Sequence, residues 1–154
     1  MVNTSGKMVT GEKMYRYKVN VTRVVDGDTV DVDIDLGFGV VYKKQRVRMM
    51  GIDTPESRTR DLEEKFYGKA SKANLIKILD GKDIQMVSHD KGKFGRILGE
   101  LFIGDSKYSV NQQQIDEFHA VPYTGQSKDD IKQGHLRNRG ALIEKDGLIY
   151  VAKN

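Results

Sequence analysis

The sequence contains no cysteine among its 154 residues. That excludes disulfide bridges, thiolate metal sites and cysteine nucleophiles, and it fits either redox compartment. Any bound metal must therefore be held by oxygen or imidazole ligands. Long apolar runs are also missing. No stretch approaches the ~18–20 residues that a membrane-spanning helix needs, so no membrane association is expected. Met1 to Lys13 is polar and lacks the apolar segment of a signal peptide, so residues 1–13 read as a flexible N-terminal arm. A cytoplasmic protein and a secreted one after processing would look alike here, and the localisation stays open.

What is present fits one compact domain, expected to be monomeric. Apolar residues make up 38% of the chain, enough for a single globular core. Lysine and arginine number 26 against 22 acids, a net charge of +4. Such a mild basic excess is compatible with a polyanionic partner without requiring one.

Periodicity supplies the elements. Tyr15 to Val25 alternates as a strand and ends in the turn dipeptide Asp26-Gly27. Thr29 to Leu36 is the cleanest strand, with Val30, Val32, Ile34 and Leu36 on one face and Asp31, Asp33 and Asp35 on the other. Gly37-Phe38-Gly39 breaks it, and Val40 to Met50 returns to form a hairpin, bringing Lys43, Lys44 and Arg46 near the three acids. From Asp61 to Leu79 the period becomes three and four. Leu62, Phe66, Ala70, Ala73, Ile76 and Leu79 mark a helix stopped by Asp80-Gly81. Ile84–Val87 and Ile97–Ile103 read as two further strands. Val110–Phe118 and Gly125–Asn138 read as helices, and Ala141–Lys153 as a hairpin turning at Lys145-Asp146-Gly147. Residues 14–138 would be the main domain and 139–154 an extension packed on it. The predicted fold is α+β: a five-stranded Greek-key barrel of the OB type with about three helices.

Three segments carry chemistry: Asp26-Gly27-Asp28-Thr29, then Arg48 through Asp53-Thr54-Pro55-Glu56, then Lys93-Phe94-Gly95-Arg96. Asp28 shares parity with the apolar face of its strand and should point inward, where a carboxylate needs a partner. Asp53 and Glu56 add two more carboxylates, and three converging acids repel unless a cation sits among them. All-oxygen ligands favour Ca²⁺ or Mg²⁺, and a loose shell of carboxylate, carbonyl and water favours Ca²⁺. Arg48 and Arg96 can grip phosphate oxygens and stabilise the charge of a five-coordinate phosphorus transition state. Glu56 could act as general base toward water. Each piece alone reads as structure: a turn, a strand end, a face charge, a hairpin loop. Their joint order and spacing are the signal.

These residues resemble the staphylococcal (micrococcal) nuclease family, the thermonucleases, over residues 16–137. The resemblance rests on Val25-Asp26-Gly27-Asp28-Thr29, Arg48 five residues before Asp53, Asp53-Thr54-Pro55-Glu56, Tyr67-Gly68 and Gly95-Arg96. It implies an OB barrel with three helices and one Ca²⁺. It also implies hydrolysis of DNA and RNA at the 5′-oxygen–phosphorus bond, leaving 3′-phosphates. By that resemblance Asp28 and Asp53 bind the metal through carboxylates and Thr54 through its carbonyl. Arg48 and Arg96 hold the phosphate, Glu56 serves the water, and Lys93 contacts a substrate phosphate. Phe94 stands where the family has a tyrosine, and Tyr123 stands near the family's base-stacking aromatic. The segment Gln112-Gln113-Gln114 is more polar than the family pattern and lacks its glycine, and Gly37–Gln45 is longer. The other class to be weighed is a catalytically silent OB module that binds nucleic acid or protein.

Other patterns explain themselves as structure. Asp31-Val32-Asp33-Ile34-Asp35 imitates an EF-hand opening but has Leu36 where glycine is needed and Tyr42 where glutamate is needed. Lys43-Lys44-Gln45-Arg46 fits a solvated strand face. His89, His119 and His135 share no spacing and read as surface histidines.

Overall fold

The computed structural model describes residues 15–91 and 95–153. The predicted N-terminal arm and the Lys93-Phe94 pair lie outside these residues. Five strands close into a barrel in the order β1 (Tyr15–Asp26), β2 (Thr29–Asp35), β3 (Val41–Met49), β6 (Ile97–Ile103), β5 (Ile84–Lys91). Every neighbouring pair is antiparallel except β3 and β6, which run parallel with Val47 opposite Ile97 and Arg48 opposite Leu98. A two-stranded ribbon, β4 (Ile52–Asp53) with β7 (Val121–Pro122), extends the end of β3. Three helices complete the fold: α1 (Leu62–Leu79), α2 (Val110–Asp116) and α3 (Lys128–Asp146). The OB-type α+β barrel expected from the strand pattern is the architecture found. No helix among the described residues is long and apolar enough to cross a membrane.

The alternation in β2 does what its period demands. Val30 and Val32 are fully buried and Ile34 nearly so, and they join Val47, Met49, Met86 and Leu101 inside the barrel. Asp31, Asp33 and Asp35 face outward, but among the described residues only Asp31 pairs with a cationic side chain, that of Arg46 at 2.9 Å. Asp33 instead accepts from the backbone N–H of Lys44 at 3.0 Å, and Asp35 from that of Gly37 at 2.8 Å. The acids therefore shape the hairpin through its backbone as much as through charge.

Helix α1 forms where the period of three and four predicts it, capped by Asp61, whose carboxylate accepts from the N–H groups of Glu63 and Glu64. The face it buries is different. Leu62 and Ile76 are exposed, while Tyr67, Gly68, Ser71, Leu75 and Ile78 turn inward. The cause is close approach. A Cβ at Gly68 would lie 2.2 Å from the Glu56 carbonyl oxygen, and one at Gly27 would lie 2.0 Å from Ser71 Oγ. Small residues let α1 seat directly on the two loops that carry the candidate site, with Leu75, Ile78 and the expected Leu79 buried alongside and Leu62 and Ile76 left in solvent.

The hairpin expected over 141–153 is not formed. Helix α3 begins after the cap Ser127 and runs on to Asp146. Gly147 then ends it in the left-handed region at φ 63°, its N–H bonded to the Ile143 carbonyl. Asp-Gly is as good a helix stop as a hairpin turn, and the tail's apolar runs do not distinguish the two. One of those residues, Leu142, is buried, and the carbonyl of Leu148 accepts from the Tyr67 hydroxyl at 3.0 Å, tying the tail to α1.

Candidate active site

The site is assembled at one end of the barrel by the β1–β2 turn, the β3–β4 segment, the start of β6 and helix α3. Gln114 of α2, fully buried, donates to the Gly27 carbonyl at 2.9 Å and to the Ser71 carbonyl at 3.1 Å. It thereby fixes the turn that presents Asp28. Asn111 secures the β3–β4 junction: its amide donates to the Met50 carbonyl at 2.8 Å, and its oxygen accepts from Leu101 N–H at 3.1 Å. Gln114 comes from the segment read as a polar departure, and Asn111 stands just before it. A polar run gives no sign that one of its amides is an interior clamp; the burial of Gln114 is visible only in the fold.

Asp28 is buried, as its parity requires. One oxygen accepts from the Thr29 hydroxyl at 2.9 Å; the other meets Arg48 Nη1 at 3.1 Å and the Thr54 N–H at 3.2 Å. Arg48 also reaches Asp53, with Nη2 3.5 Å from Oδ1. One guanidinium thus spans the two carboxylates. Burial pushes the Asp28 carboxyl above the usual aspartate range; Arg48 and the Thr29 and Thr54 hydrogen bonds oppose this, and the nearby Asp53 adds to it. Thr54 Oγ1 lies buried beside this group with no hydrogen-bond partner among the described residues.

Two clefts meet at Asp53. The larger, about 690 Å³, is lined by Arg48, Arg96 and Tyr123 among others. Tyr123 is half exposed there, and its N–H is anchored to the Gly51 carbonyl at 2.8 Å. The second, about 460 Å³, lies against α3 and includes Thr54, Glu56, Lys132 and His135. Glu56 is exposed on this side. The expected convergence of three carboxylates is therefore corrected to two carboxylates and a guanidinium: among the described residues no three His, Cys, Asp or Glu side chains form a group that could hold a metal ion. The reason is the seating of the Glu56–Ser57 backbone on Gly68, with Glu56 N–H donating to Glu64 Oε2 at 3.2 Å and Ser57 Oγ bonded to Asp26. Those contacts carry Glu56 toward the α3 cleft.

The histidines also differ from expectation, since all three are partly buried. His89 meets Glu100 at 2.6 Å, and burial pulls the His119 imidazole below its ordinary pKa. His135 Nε2 lies 2.8 Å from Asp53 Oδ2. A lone histidine leaves no periodic trace, and its partner is 82 residues away in the chain.

A closed five-stranded barrel with Asp53 and two arginines lining a cleft at its rim defines an OB-type domain. Residues 46–146 match the family model described as staphylococcal nuclease homologue. The chain belongs to the staphylococcal nuclease family. It is 34% identical over 92 residues to a thermonuclease of Staphylococcus intermedius, covering 58% of this chain and 51% of that protein. An uncharacterised endonuclease of Escherichia coli is 30% identical over 131 residues, 82% of this chain and 77% of that protein. A probable staphylococcal-like nuclease of Oryza sativa subsp. japonica is 32% identical over 81 residues, 53% of this chain but 20% of the relative. The chain thus spans about half the length, or less, of two of these relatives.

Proposed function

We propose that this protein is a calcium-dependent phosphodiesterase that hydrolyses DNA and RNA at the 5′-oxygen–phosphorus bond, leaving 3′-phosphates. The observation that carries the reading is the guanidinium of Arg48 spanning Asp28 and Asp53 at the mouth of a cleft that Arg96 also lines. Family membership supports the same chemistry.

The residues present fit a hard cation. Asp28, Asp53 and the Thr54 carbonyl make an all-oxygen donor set, and the unpartnered Thr54 Oγ1 leaves an unsatisfied oxygen beside it. When bound, the cation supplies Lewis-acid polarisation of a phosphoryl oxygen. The rest belongs to the protein. Arg48 carries five N–H donors in a rigid fork, so it can grip a phosphate oxygen while still facing the carboxylates. Arg96 grips another oxygen from the same cleft. Together the two arginines oppose the charge that grows on the equatorial oxygens as water attacks phosphorus. Glu56 takes the proton from that water, approaching from the α3 side of Asp53. Lys93 is the proposed contact to a neighbouring phosphate, Phe94 offers the substrate a ring without a tyrosine's hydroxyl, and Tyr123 offers a ring for stacking on a base.

Digestion of end-labelled DNA and RNA oligonucleotides in Ca²⁺ or in EDTA, with end-group analysis, tests the reading. Calcium-stimulated cleavage leaving 3′-phosphates is expected. Binding without cleavage would instead make the domain a silent nucleic-acid-binding module, and 5′-phosphate products would overturn the assigned bond.

A further inference from the structure

His135 has no part in the chemistry just described, yet its Nε2 lies within hydrogen-bond distance of an Asp53 carboxylate oxygen. The Asp53 carboxylate is divided between two elements: Oδ1 faces Arg48 and the Asp28 side at 3.5 Å, and Oδ2 is taken by His135 Nε2 at 2.8 Å. The His135 side chain is 13% exposed, so water competes poorly for the bond.

Contacts independent of the histidine aim it there. A Cβ at Gly134 would fall 2.8 Å from Val121 Cγ1, so α3 presses its glycine onto β7. Val121 is in turn the ladder partner of Asp53. One turn further along, Asn138 donates to the Ala120 carbonyl at 3.0 Å. Helix α3 is thus fastened on both sides of position 135 to the residues opposite the site strand. Held at this register, the imidazole meets Asp53 through Nε2, while its Nδ1 is buried and has no hydrogen-bond partner among the described residues.

We propose that His135 is a positioning residue, which holds Asp53 by one oxygen so that the other stays turned toward Asp28 for the cation. The inference rests on the metal reading given above. An imidazole N–H bound to a ligating carboxylate fixes the orientation of that ligand, and loss of such partners in metal sites costs about 10–100-fold in metal affinity or activity. Without it, Asp53 is held by the longer Arg48 contact alone, and more of its ordering falls to the moment the cation binds.

Calorimetric titration with calcium chloride alone, in the absence of nucleic acid, is the test, with thermal melts run in EDTA on each variant. His135→Ala should weaken calcium binding about 10–100-fold. His135→Gln, which keeps an N–H donor at similar reach, should recover most of the loss, and both variants should melt cooperatively. Wild-type calcium affinity in His135→Ala, with loss of binding in Asp53→Ala, would overturn the positioning role and leave the metal reading standing. Equal weakening in both histidine variants, tracking a fall in melting temperature, would make the contact merely structural and also overturn it. Unchanged calcium binding in Asp53→Ala would remove the metal reading itself, and this inference with it.

Discussion

Strand β3 carries two arginines that pair with aspartates of β2 and of the turn before it, Arg46 with Asp31 and Arg48 with Asp28. Their chemistry is identical and their contact distances are similar, at 2.9 Å and 3.1 Å. Their surroundings are not. The Arg46 and Asp31 side chains are 48% and 23% exposed, against 18% and 11% for Arg48 and Asp28. The consequence has opposite signs. The Arg46 hydrogen bonds hold the Asp31 carboxyl below its ordinary range, while burial lifts Asp28 above it despite the facing guanidinium. Desolvation outweighs a single ion pair once water is excluded. The outer pair is an ordinary surface contact; the inner one keeps a carboxylate where its charge is costly, which is where chemistry uses charge.

The sharpest way to break that contrast is to remove the inner cation. Arg48→Ala should lower turnover about 10²–10³-fold, the size of the loss seen when one donor to a developing oxyanion is removed, equivalent to about 2.7–4 kcal/mol. Steady-state cleavage of a calcium-supplemented DNA substrate checks it, and full activity would refute the assignment of Arg48. Gly68→Ala should come next. Its Cβ would enter backbone at 2.2 Å from Glu56 O, so α1 must shift from the site loop. A loss of about 1–3 kcal/mol of stability is expected for such overpacking. Denaturant unfolding measures it, and a wild-type midpoint would show that α1 does not set the loop's place.

Asp28→Asn tests the inner pair from the acid side. A folded-state pKa raised above the ordinary aspartate value means that the native protein binds a proton more readily than the unfolded chain does. The ionised carboxylate therefore costs stability increasingly as pH rises through the window between the unfolded value and the raised one. The amide carries no such cost. In EDTA the variant should be more stable than wild type at neutral pH and indistinguishable from it below about pH 3.8, while its calcium binding is weakened. Thermal melts across that range decide, and a variant less stable at neutral pH would show that Arg48 more than offsets the burial.

How much of this was legible in the chain follows the same line between local and distant. The barrel strands were readable because alternation is local: Val30, Val32 and Ile34 announce their face unaided. The convergence of Asp28, Arg48 and Asp53 was readable from the motif, since a strand register links Thr29 to Arg48 directly. The buried face of α1 was not, because it is chosen by the close approach of Gly68 and Gly27 rather than by an apolar stripe. Nor was the end of α3, where Asp146-Gly147 suits two different stops. His135 and Gln114 act on partners 82 and 87 residues away, and no spacing within the chain encodes such pairs.

The smallest expected effect belongs to the outer pair, and it carries the contrast furthest. Arg46 is about half exposed, so its bidentate hold on Asp31 is screened by water and salt and contributes about 0–1 kcal/mol. Arg46→Ala should cost no more than that and leave turnover unchanged. The sign with pH is opposite to that of Asp28. A depressed carboxyl stabilises the fold above its unfolded pKa and loses that contribution as pH falls through the folded one. Wild type and Arg46→Ala should therefore differ slightly at neutral pH and converge in acid, with the difference shrinking as salt is added. Urea titrations at two salt concentrations, run beside the cleavage assay, measure both quantities. If Arg46→Ala lost activity on the scale of Arg48→Ala, exposure would not be what separates the two arginines, and the polynucleotide would have to reach across the outer face of the hairpin.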